Sequence, residues 1–380
     1  MPGSNDLALR IGLLFAFAAT MSFVAVWLLQ PVARRFGLLD HPAGRKDHAQ
    51  PTPTTGGLAI LVGILLAMAL GNHWTPIRIG FCASAVLLVV VGVLDDLFDL
   101  RWWLRILVQC LAVWLIFLSG VAAEHVGQMF GAKTTGLGAW QLPFTMFATA
   151  GVINAINMVD GVDGLAGGVV LATFCMFDAA ALYSGNFQLA EQLAVFAGAV
   201  LGFWLLNMRF PWQPRARVFM GNAGSALLGF AIAWASFRLT QNGAHPVTPI
   251  LAPWLVATPL MDCVVLIGRR LLHGHSPFHA DRNHMHHLML DAGFTPAEVA
   301  VTLIAINVVL GGAASVALLE KLPQPALVLT YVAMCFAYFW LTASRRRAVA
   351  FFAWLHRLLH GSPRKPDGKG LTAQTAGGED

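Results

Sequence analysis

The amino-acid sequence predicts an all-α polytopic integral membrane protein with about eleven transmembrane helices. Of its 380 residues, 57% are hydrophobic and only 11% are charged, whereas soluble proteins have about 25% charged residues. The second observation is that apolar runs of roughly membrane-spanning length, about 17–25 residues, recur along the chain. These runs lie near residues 8–29, 57–71, 79–94, 103–120, 141–157, 165–184, 190–207, 219–239, 249–268, 298–319 and 324–343.

Lysine and arginine are distributed unequally between the segments that join these runs. If the N-terminus is outside, 19 of the 24 basic residues fall on the inner side. The remaining five are Arg10, Arg78, Lys133, Arg238 and Lys321. Because basic loops are retained in the cytoplasm, this asymmetry predicts an outside N-terminus and a cytoplasmic C-terminus.

The same pattern divides the chain into two parts. We expect a transmembrane domain over residues 1–343 and a basic, partly disordered cytoplasmic tail over residues 344–380. The cytoplasmic loops of the transmembrane domain contain every segment with chemically active side chains. These loops are residues 30–56, 95–106, 154–164, 208–225 and 269–297.

Three aspartates, Asp95, Asp96 and Asp99, directly follow one of the most apolar runs in the sequence. Asp95 and Asp99 are four residues apart, so a continuous helix would place them on the same face. Three carboxylates this close repel one another unless a cation lies between them. Mg²⁺ prefers carboxylates, water and phosphate oxygens, so the motif indicates a magnesium site. The alternative is a solvated helix end.

A second polar segment contains Asn154, Asn157, Asp160 and Asp163 and has no basic residue. Because these four residues recur at every third position, helical spacing would align them roughly along one face. Polar groups at membrane depth are costly unless they face a water-filled or substrate-filled cavity. The segment therefore predicts part of a binding site, with a polar hinge between two spans as the alternative.

Three other loops contain groups suited to phosphate. The first loop has basic side chains before a Pro- and Gly-rich turn, which would expose backbone N–H groups at a helix start. The sequence Gly221-x-x-Gly224-Ser225 opens a span in a similar way, although small residues there also serve helix packing. The basic groups of the first loop are Arg45, Lys46 and His48.

The cytoplasmic loop at residues 269–297, here called the late loop, is rich in histidine. It includes Arg282, His284, His286 and His287. No cysteine is near, so contacts to a diphosphate suit these residues better than a zinc site does. A metal site and a solvated loop remain the alternatives. Asp262, which lies within an apolar run, is expected to make an internal structural contact.

In this order the motifs resemble those of the polyprenyl-phosphate N-acetylhexosamine-1-phosphate transferases. The resemblance covers about residues 30–300, with every motif on the predicted cytoplasmic face. The sequence is most similar to the undecaprenyl-phosphate N-acetylglucosamine-1-phosphate transferases, because Met285 interrupts the three consecutive histidines of the muramoyl-pentapeptide enzymes. The motifs are Arg-Lys-x-His, Pro-x-Pro-x-x-Gly-Gly, Asp-Asp-x-x-Asp, Asn-x-x-Asn-x-x-Asp-Gly-x-Asp-Gly-Leu, Phe-Met-Gly-x-x-Gly-Ser and Asp-Arg-x-His-x-His-His.

This resemblance implies a reaction and a location. UDP-N-acetylglucosamine and undecaprenyl phosphate would give undecaprenyl-diphospho-N-acetylglucosamine and UMP, with Mg²⁺ or alternatively Mn²⁺ as cofactor. The reaction would take place at the cytoplasmic face of a bacterial inner membrane. It would be the first membrane step of O-antigen or other cell-surface glycan synthesis, as in lipopolysaccharide biosynthesis.

The resemblance also implies roles for particular residues. The implied catalytic residues are Asp95, Asp96, Asp160, Asp163 and His284. The implied metal ligands are Asp95, Asp96 and Asn222. The implied substrate-binding residues are Arg45, Lys46, His48, Asp99, Asn154, Asn157, Asn207, Ser225, Arg282, His286 and His287.

Position 222 departs from the family pattern. The related enzymes generally have Asp in the motif Gly-Asp-x-Gly-Ser, whereas this chain has Asn222. An amide oxygen can ligate Mg²⁺ but brings no charge. We therefore expect a lower metal affinity, unless another carboxylate compensates.

Four alternatives remain. The first is the same reaction with another UDP-N-acetylhexosamine, and the second is a pseudo-enzyme, which only Asn222 suggests. A transporter would have paired broken helices and often repeated halves, and no repeat is visible. A CDP-alcohol phosphotransferase would need Ala-Arg after its Asp-Gly, and Gly164-Leu165 stand there instead. We expect the lipid bilayer and no nucleic acid as partners, and homodimer formation is left open.

Overall fold

The computed structural model of the protein describes residues 4–40, 51–70, 74–131, 133–276 and 282–360. Almost all regular structure in these residues is helical. The helices are α1 (Ser4–Phe36), α2 (Gly56–Ala69), α3 (Pro76–Phe98), α4 (Trp102–Leu118), α5 (Gln141–Val159), α6 (Leu165–Tyr183), α7 (Phe187–Asn207), α8 (Gly221–Thr240), α9 (Leu251–Leu255), α10 (Ala257–Leu272), α11 (Met285–Asp291), α12 (Pro296–Leu319), α13 (Gln324–Thr342) and α14 (Arg345–His360).

The all-α polytopic class predicted from the sequence is confirmed. Eight of the described helices are long and apolar enough to cross a membrane, and α2 and α4 are shorter apolar helices. The described residues add a pair of two-residue antiparallel strands, β1 (Leu39–Asp40) and β2 (Thr52–Pro53). These strands join the two sides of the first predicted cytoplasmic loop.

Local sequence signals set several helix ends. The hydroxyl of Thr75 accepts a hydrogen bond from the backbone N–H of Arg78 at 3.3 Å, and proline follows at the first helical position of α3. Thr295 and Glu298 form a reciprocal capping box at the start of α12. Such caps satisfy N–H groups that have no partner within the helix.

Helices α7 and α8 lie at the centre of the bundle, where most of their residues are buried. An aromatic cluster links them to α3, since the ring centroid of Phe81 lies 4.9 Å from those of both Phe196 and Trp234. Close backbone approach joins α2 to α8, because a Cβ added to Gly57 would lie 2.2 Å from the backbone nitrogen of Gly224. The glycines at the start of α8 therefore serve helix packing.

The predicted span at residues 249–268 consists of two helices, α9 and α10, instead of one. Pro259 has no N–H for the carbonyl of Leu255, so the regular helical hydrogen bond cannot form. That carbonyl instead accepts from Thr173 at 2.9 Å and from the amide of Asn307 at 3.1 Å. Neighbouring helices thus satisfy the freed backbone group, as an apolar environment requires.

Candidate active site

A cavity of about 530 Å³ lies at one end of the bundle. The C-terminal ends of α3, α5 and α10 meet the N-terminal ends of α4, α8 and α11 there. Ionisable and polar side chains line this cavity together with an apolar wall from α3, α4 and α5. Its polar lining includes Asp95, Arg105, Asn157, Ser225, Arg270 and His284.

Asp95 is buried in the cavity wall and is held by two neighbours. Its Oδ1 accepts a hydrogen bond from the backbone N–H of Leu100 at 2.9 Å, and its Oδ2 lies 3.2 Å from Nη1 of Arg105. Helix α3 ends at Phe98, and the chain then turns so that α4 brings Arg105 back to the carboxylate. This ion pair gives the cavity a positioned guanidinium next to a positioned carboxylate.

Asp99 does not line the cavity with Asp95. It has a left-handed backbone, with φ of 49°, and ends α3 instead of continuing it. Its side chain is exposed and stays outside the cavity formed by the described residues. The prediction that Asp95 and Asp99 share one helical face is therefore wrong, because the helix ends between them.

Asp96 binds the N-terminus of α8. Its Oδ1 accepts from the backbone N–H of Asn222 at 2.9 Å, where unpaired helical N–H groups favour an anion. Gly221 permits this approach, because it has a φ of +70° and a Cβ there would lie 2.5 Å from Oδ2 of Asp96. The Asn157 amide donates to both Asn222 Oδ1 at 3.0 Å and Ser225 Oγ at 2.9 Å.

Asn154 lines the cavity from α5 and donates its amide to the carbonyl of Ala150 at 2.7 Å. Helix α5 ends at Val159. Asp160 and Asp163 therefore lie in the following turn and do not continue the face of Asn154. The predicted alignment of all four polar residues along one helical face is wrong for this reason.

Two residues predicted to act on substrate, Asp163 and Asn207, contact the neighbouring loop. Oδ2 of Asp163 accepts from Nε of Arg209 at 2.7 Å, and Asp163 stays outside the lining of the cavity in the described structure. Asn207 is buried, accepts from the backbone N–H of Gly164 at 2.9 Å and donates to the carbonyl of Val218 at 2.8 Å. Both hold the segment before α8.

Asp160 lies in the turn after α5 and, like Asp163, stays outside the lining of the cavity in the described structure. Among the described residues no donor hydrogen-bonds to it. Burial, followed by the charges of Asp96 and Asp163, raises the pKa of Asp160 to about 7. A carboxylate that is desolvated and repelled by two others is a favourable neighbour for a positive ion.

The residues present fit Mg²⁺ better than they fit zinc. No group of three or more His, Cys, Asp or Glu side chains within the described ranges could hold a metal ion. Mg²⁺ does not require such a group, because it is usually held by one or two carboxylates, water and substrate phosphates. Asp96 and Asp160 supply two carboxylates. The backbone N–H of Asn222 donates to Asp96, and the side-chain oxygen of Asn222 accepts from Asn157.

Asp262 orients the first histidine of the late loop. Its Oδ2 lies 2.9 Å from Nδ1 of His284, while its Oδ1 accepts from the backbone N–H of Met285 and from the hydroxyl of Tyr338 at 2.6 Å. Nε2 of His284 points to Arg270, 3.5 Å from its Nη2. The internal contact expected of Asp262 is confirmed. Its partner His284 lines the cavity.

His286 and His287 complete this side of the cavity. Their ring centroids are 4.2 Å apart, and the Nδ1 atoms of both are buried without a hydrogen-bond partner in the described structure. Burial, and then the charges of His287 and His284, lower the pKa of His286 well below 6.5. A neutral imidazole with an unpaired ring nitrogen is ready to bind a polar ligand.

The remaining predicted residues lie apart from the cavity or outside the described ranges. Arg282 is exposed, and its backbone carbonyl accepts from Arg345 at 2.8 Å. Arg45, Lys46 and His48 lie outside the described residues. Their predicted roles in substrate binding stay predictions.

Sequence reasoning missed the two cations of the cavity, Arg105 and Arg270. Arg105 is the only charged residue of the otherwise apolar α4, which is an unusual place for an unpaired charge. Arg270 follows Arg269 at the end of α10, where a basic pair is also typical of the cytoplasmic end of a membrane span. An isolated charge in an apolar helix was the signal that could have identified Arg105.

The fold and the site together define a membrane-embedded enzyme with a charged cavity at one end of its helical bundle. The sequence model of Glycosyl transferase family 4 matches residues 78–240. A Yersinia pestis protein named undecaprenyl-phosphate alpha-N-acetylglucosaminyl 1-phosphate transferase is 38% identical over 79% of this chain and 82% of its own length.

Proteins of the same name from other bacteria have similar sequence identity to this chain. That of Escherichia coli (strain K12) is 36% identical over 79% of this chain and 82% of its own length. That of Haemophilus influenzae is 33% identical over 76% of this chain and 81% of its own length. The chain therefore belongs to this family of glycosyl-1-phosphate transferases.

Proposed function

We propose that the protein transfers N-acetylglucosamine-1-phosphate from UDP-N-acetylglucosamine to undecaprenyl phosphate. The products are undecaprenyl-diphospho-N-acetylglucosamine and UMP. The names of the relatives support this choice of substrates. The structural observation that supports it best is the ion pair between the buried Asp95 and the partly exposed Arg105, because it adjoins the apolar wall of the same cavity. Such a site suits a substrate with a phosphate head and an apolar chain.

An oxygen of the lipid phosphate attacks the β-phosphorus of the nucleotide sugar. The bond between that phosphorus and the bridging oxygen breaks, and its electron pair leaves with UMP. A phosphate monoester has a second pKa of about 6, so at neutral pH it is mostly dianionic and needs no strong base. The difficulty is instead the approach of two anions.

Arg105 and Arg270 reduce this repulsion from two sides of the cavity. Asp95 fixes Arg105 in place, so we assign Asp95 an orienting role and not that of a strong proton acceptor. His284, held by Asp262, and the neutral ring of His286 offer hydrogen bonds to the diphosphate or sugar. Asn157 and Ser225 supply further polar contacts.

Asp96, Asp160 and Asn222 are the residues that would hold Mg²⁺. When bound, the ion supplies positive charge to the diphosphate. Because Asn222 is uncharged, we propose that the metal affinity is lower than in an Asp variant. Asn222→Asp should therefore reduce the Mg²⁺ concentration needed for half-maximal rate.

We further propose eleven spans, with α9 and α10 forming one of them. The N-terminus would be outside and the cavity would face the cytoplasm of a bacterium, across its inner membrane. The arginines at the cavity end of the bundle, such as Arg101 and Arg269, support this orientation. A role in O-antigen or other cell-surface glycan synthesis would follow from the product.

Purified protein in lipid vesicles with undecaprenyl phosphate and a panel of UDP-sugars tests the proposal. We expect Mg²⁺-dependent release of UMP with UDP-N-acetylglucosamine, and loss of release after addition of a chelator. A different preferred UDP-N-acetylhexosamine would correct the donor only. No UMP release from any sugar, in wild type and in Asn222→Asp alike, would contradict the transferase reaction.

Gly161→Ala is expected to reduce this activity by about 10- to 100-fold, the range for displaced active-site groups. A Cβ at position 161 would lie 2.3 Å from Nε2 of His286, so the ring must move. Gly268→Ala is the matched control, because a Cβ there meets no atom within 4 Å. Equal rates for the two variants in the UMP assay would show that the position of His286 does not matter.

A further inference from the structure

Helix α14 follows the last long apolar helix directly. Only Ala343 and Ser344 separate the end of α13 at Thr342 from the start of α14 at Arg345. Trp340, near the end of α13, is 63% exposed, and the guanidinium of Arg347 lies 4.0 Å from its ring centroid. An exposed tryptophan beside an arginine at a helix end is typical of the membrane–water interface. Helix α14 thus begins at the level of the bilayer surface.

The side chains of α14 fall on three faces. Ala348 and Phe352 are buried against the protein. Phe351, Trp354 and Leu358 form a different stripe at i, i+3 and i+7, and they are 40%, 54% and 66% exposed. Such a stripe occupies one side of a helix. An exposed row of large apolar groups marks a contact with an apolar phase or a partner.

The third face of α14 is basic. Arg346 and Arg357 are exposed and eleven residues apart, which places them about 20° from each other around the helix. Their face lies between the protein-contacting side and the apolar stripe. Helices with a strongly basic face and an apolar face of Trp, Phe and Leu lie in the plane of anionic membranes.

Helix α14 also holds the segment that bears the active-site histidines. Arg345 forms an ion pair with Asp291 at the end of α11, and it donates to the carbonyl of Arg282 at 2.8 Å. The ring of His356 lies 4.7 Å from that of Phe294, measured between centroids. A shift of α14 would therefore be transmitted to His286 and His287 on α11.

We propose that α14 binds anionic lipid at the bilayer surface and that this binding keeps the histidine-bearing helix α11 in its active position. The apolar stripe inserts among the acyl chains, while Arg346 and Arg357 contact negatively charged headgroups. The occupant of this surface is thus the membrane itself. The lipid-binding part stands independently of the reaction, whereas the effect on rate rests on the proposed function.

The full-length protein in nanodiscs of phosphatidylcholine alone, or of an equal mixture with phosphatidylglycerol, tests this inference. Amide hydrogen exchange in α14 should slow by about 30-fold in the anionic discs, the scale set by two surface arginines. Exchange in α11 should slow as well, and UMP release should rise several-fold. The double variant Arg346→Gln, Arg357→Gln should lose all three differences.

Two further variants separate the outcomes. Arg215→Gln removes an exposed arginine from the loop before α8 and should leave the lipid response unchanged. Phe351→Ser combined with Trp354→Ser should increase exchange in α14 in both disc types. Equal exchange in both lipids for wild type, or a self-associated protein whose α14 is protected regardless of lipid, would overturn the proposal. If exchange responds to lipid but no sugar gives UMP, the proposed function fails and the lipid surface stands.

Discussion

Replacing Asp95 with Asn is expected to abolish most transferase activity, with a loss of about a hundredfold or more in kcat. An amide side chain cannot form an ion pair, so Arg105 would lose the anion that fixes it at 3.2 Å in the cavity wall. The substrate phosphate would then meet a guanidinium without a defined position. The measurement is the rate of UMP release at saturating undecaprenyl phosphate and UDP-N-acetylglucosamine.

Asp99→Asn is the control for this variant. It removes the same charge four residues away, at an exposed position outside the described cavity. We expect it to retain a rate within about twofold of wild type, because exposed substitutions away from a site have small effects. Similar losses for Asp95→Asn and Asp99→Asn would show that general negative charge matters and that the pair with Arg105 does not.

Asp262→Asn is expected to lower kcat by about 10- to 100-fold, as for partners that orient an active-site histidine. The amide oxygen of this variant could still accept from Tyr338 and from the backbone N–H of Met285. The variant would lack the charge that orients His284 through a contact of 2.9 Å. Because His284 is proposed to act on bound substrate, KM should change much less than kcat.

Tyr338→Phe distinguishes orientation from simple stabilisation. It removes the 2.6 Å hydrogen bond to the other oxygen of Asp262 and leaves the contact with His284 in place. If Asp262 positions His284, Tyr338→Phe should lower Tm about as much as Asp262→Asn but retain more of kcat. A purely structural role would instead lower kcat in proportion to the loss of Tm in both variants.

Most helices could be located from the sequence, because apolar run length alone marks them. The predicted run 219–239 corresponds to Gly221–Thr240, and 324–343 corresponds to Gln324–Thr342. The exceptions were the span at residues 249–268, which is broken into two helices, and helices α11 and α14, which no predicted apolar run marks. The hydrogen bonds that stabilise the break in that span come from Thr173 and Asn307, which are distant in sequence.

The site was harder to predict, because motif spacing assumes a helix that continues. Helix α3 ends at Phe98 and α5 at Val159, so Asp99 and Asp163 leave the faces on which spacing had placed them. In the cavity Arg105 contacts Asp95 and Arg270 contacts His284, and motif spacing does not show such tertiary contacts. Sequence motifs thus identified the segments that form the site, and the structure showed which of their side chains are in contact.

Transfer of an intact sugar phosphate distinguishes the proposed reaction from transfer of the sugar alone, and a doubly labelled donor tests it. UDP-N-acetylglucosamine with one radiolabel in the sugar and another at the β-phosphorus would be incubated with the protein and undecaprenyl phosphate. We expect both labels to enter the lipid fraction in a constant ratio, with unlabelled UMP in the water phase. Sugar label alone in the lipid, with the β-phosphorus left in UDP, would contradict transfer of the sugar phosphate.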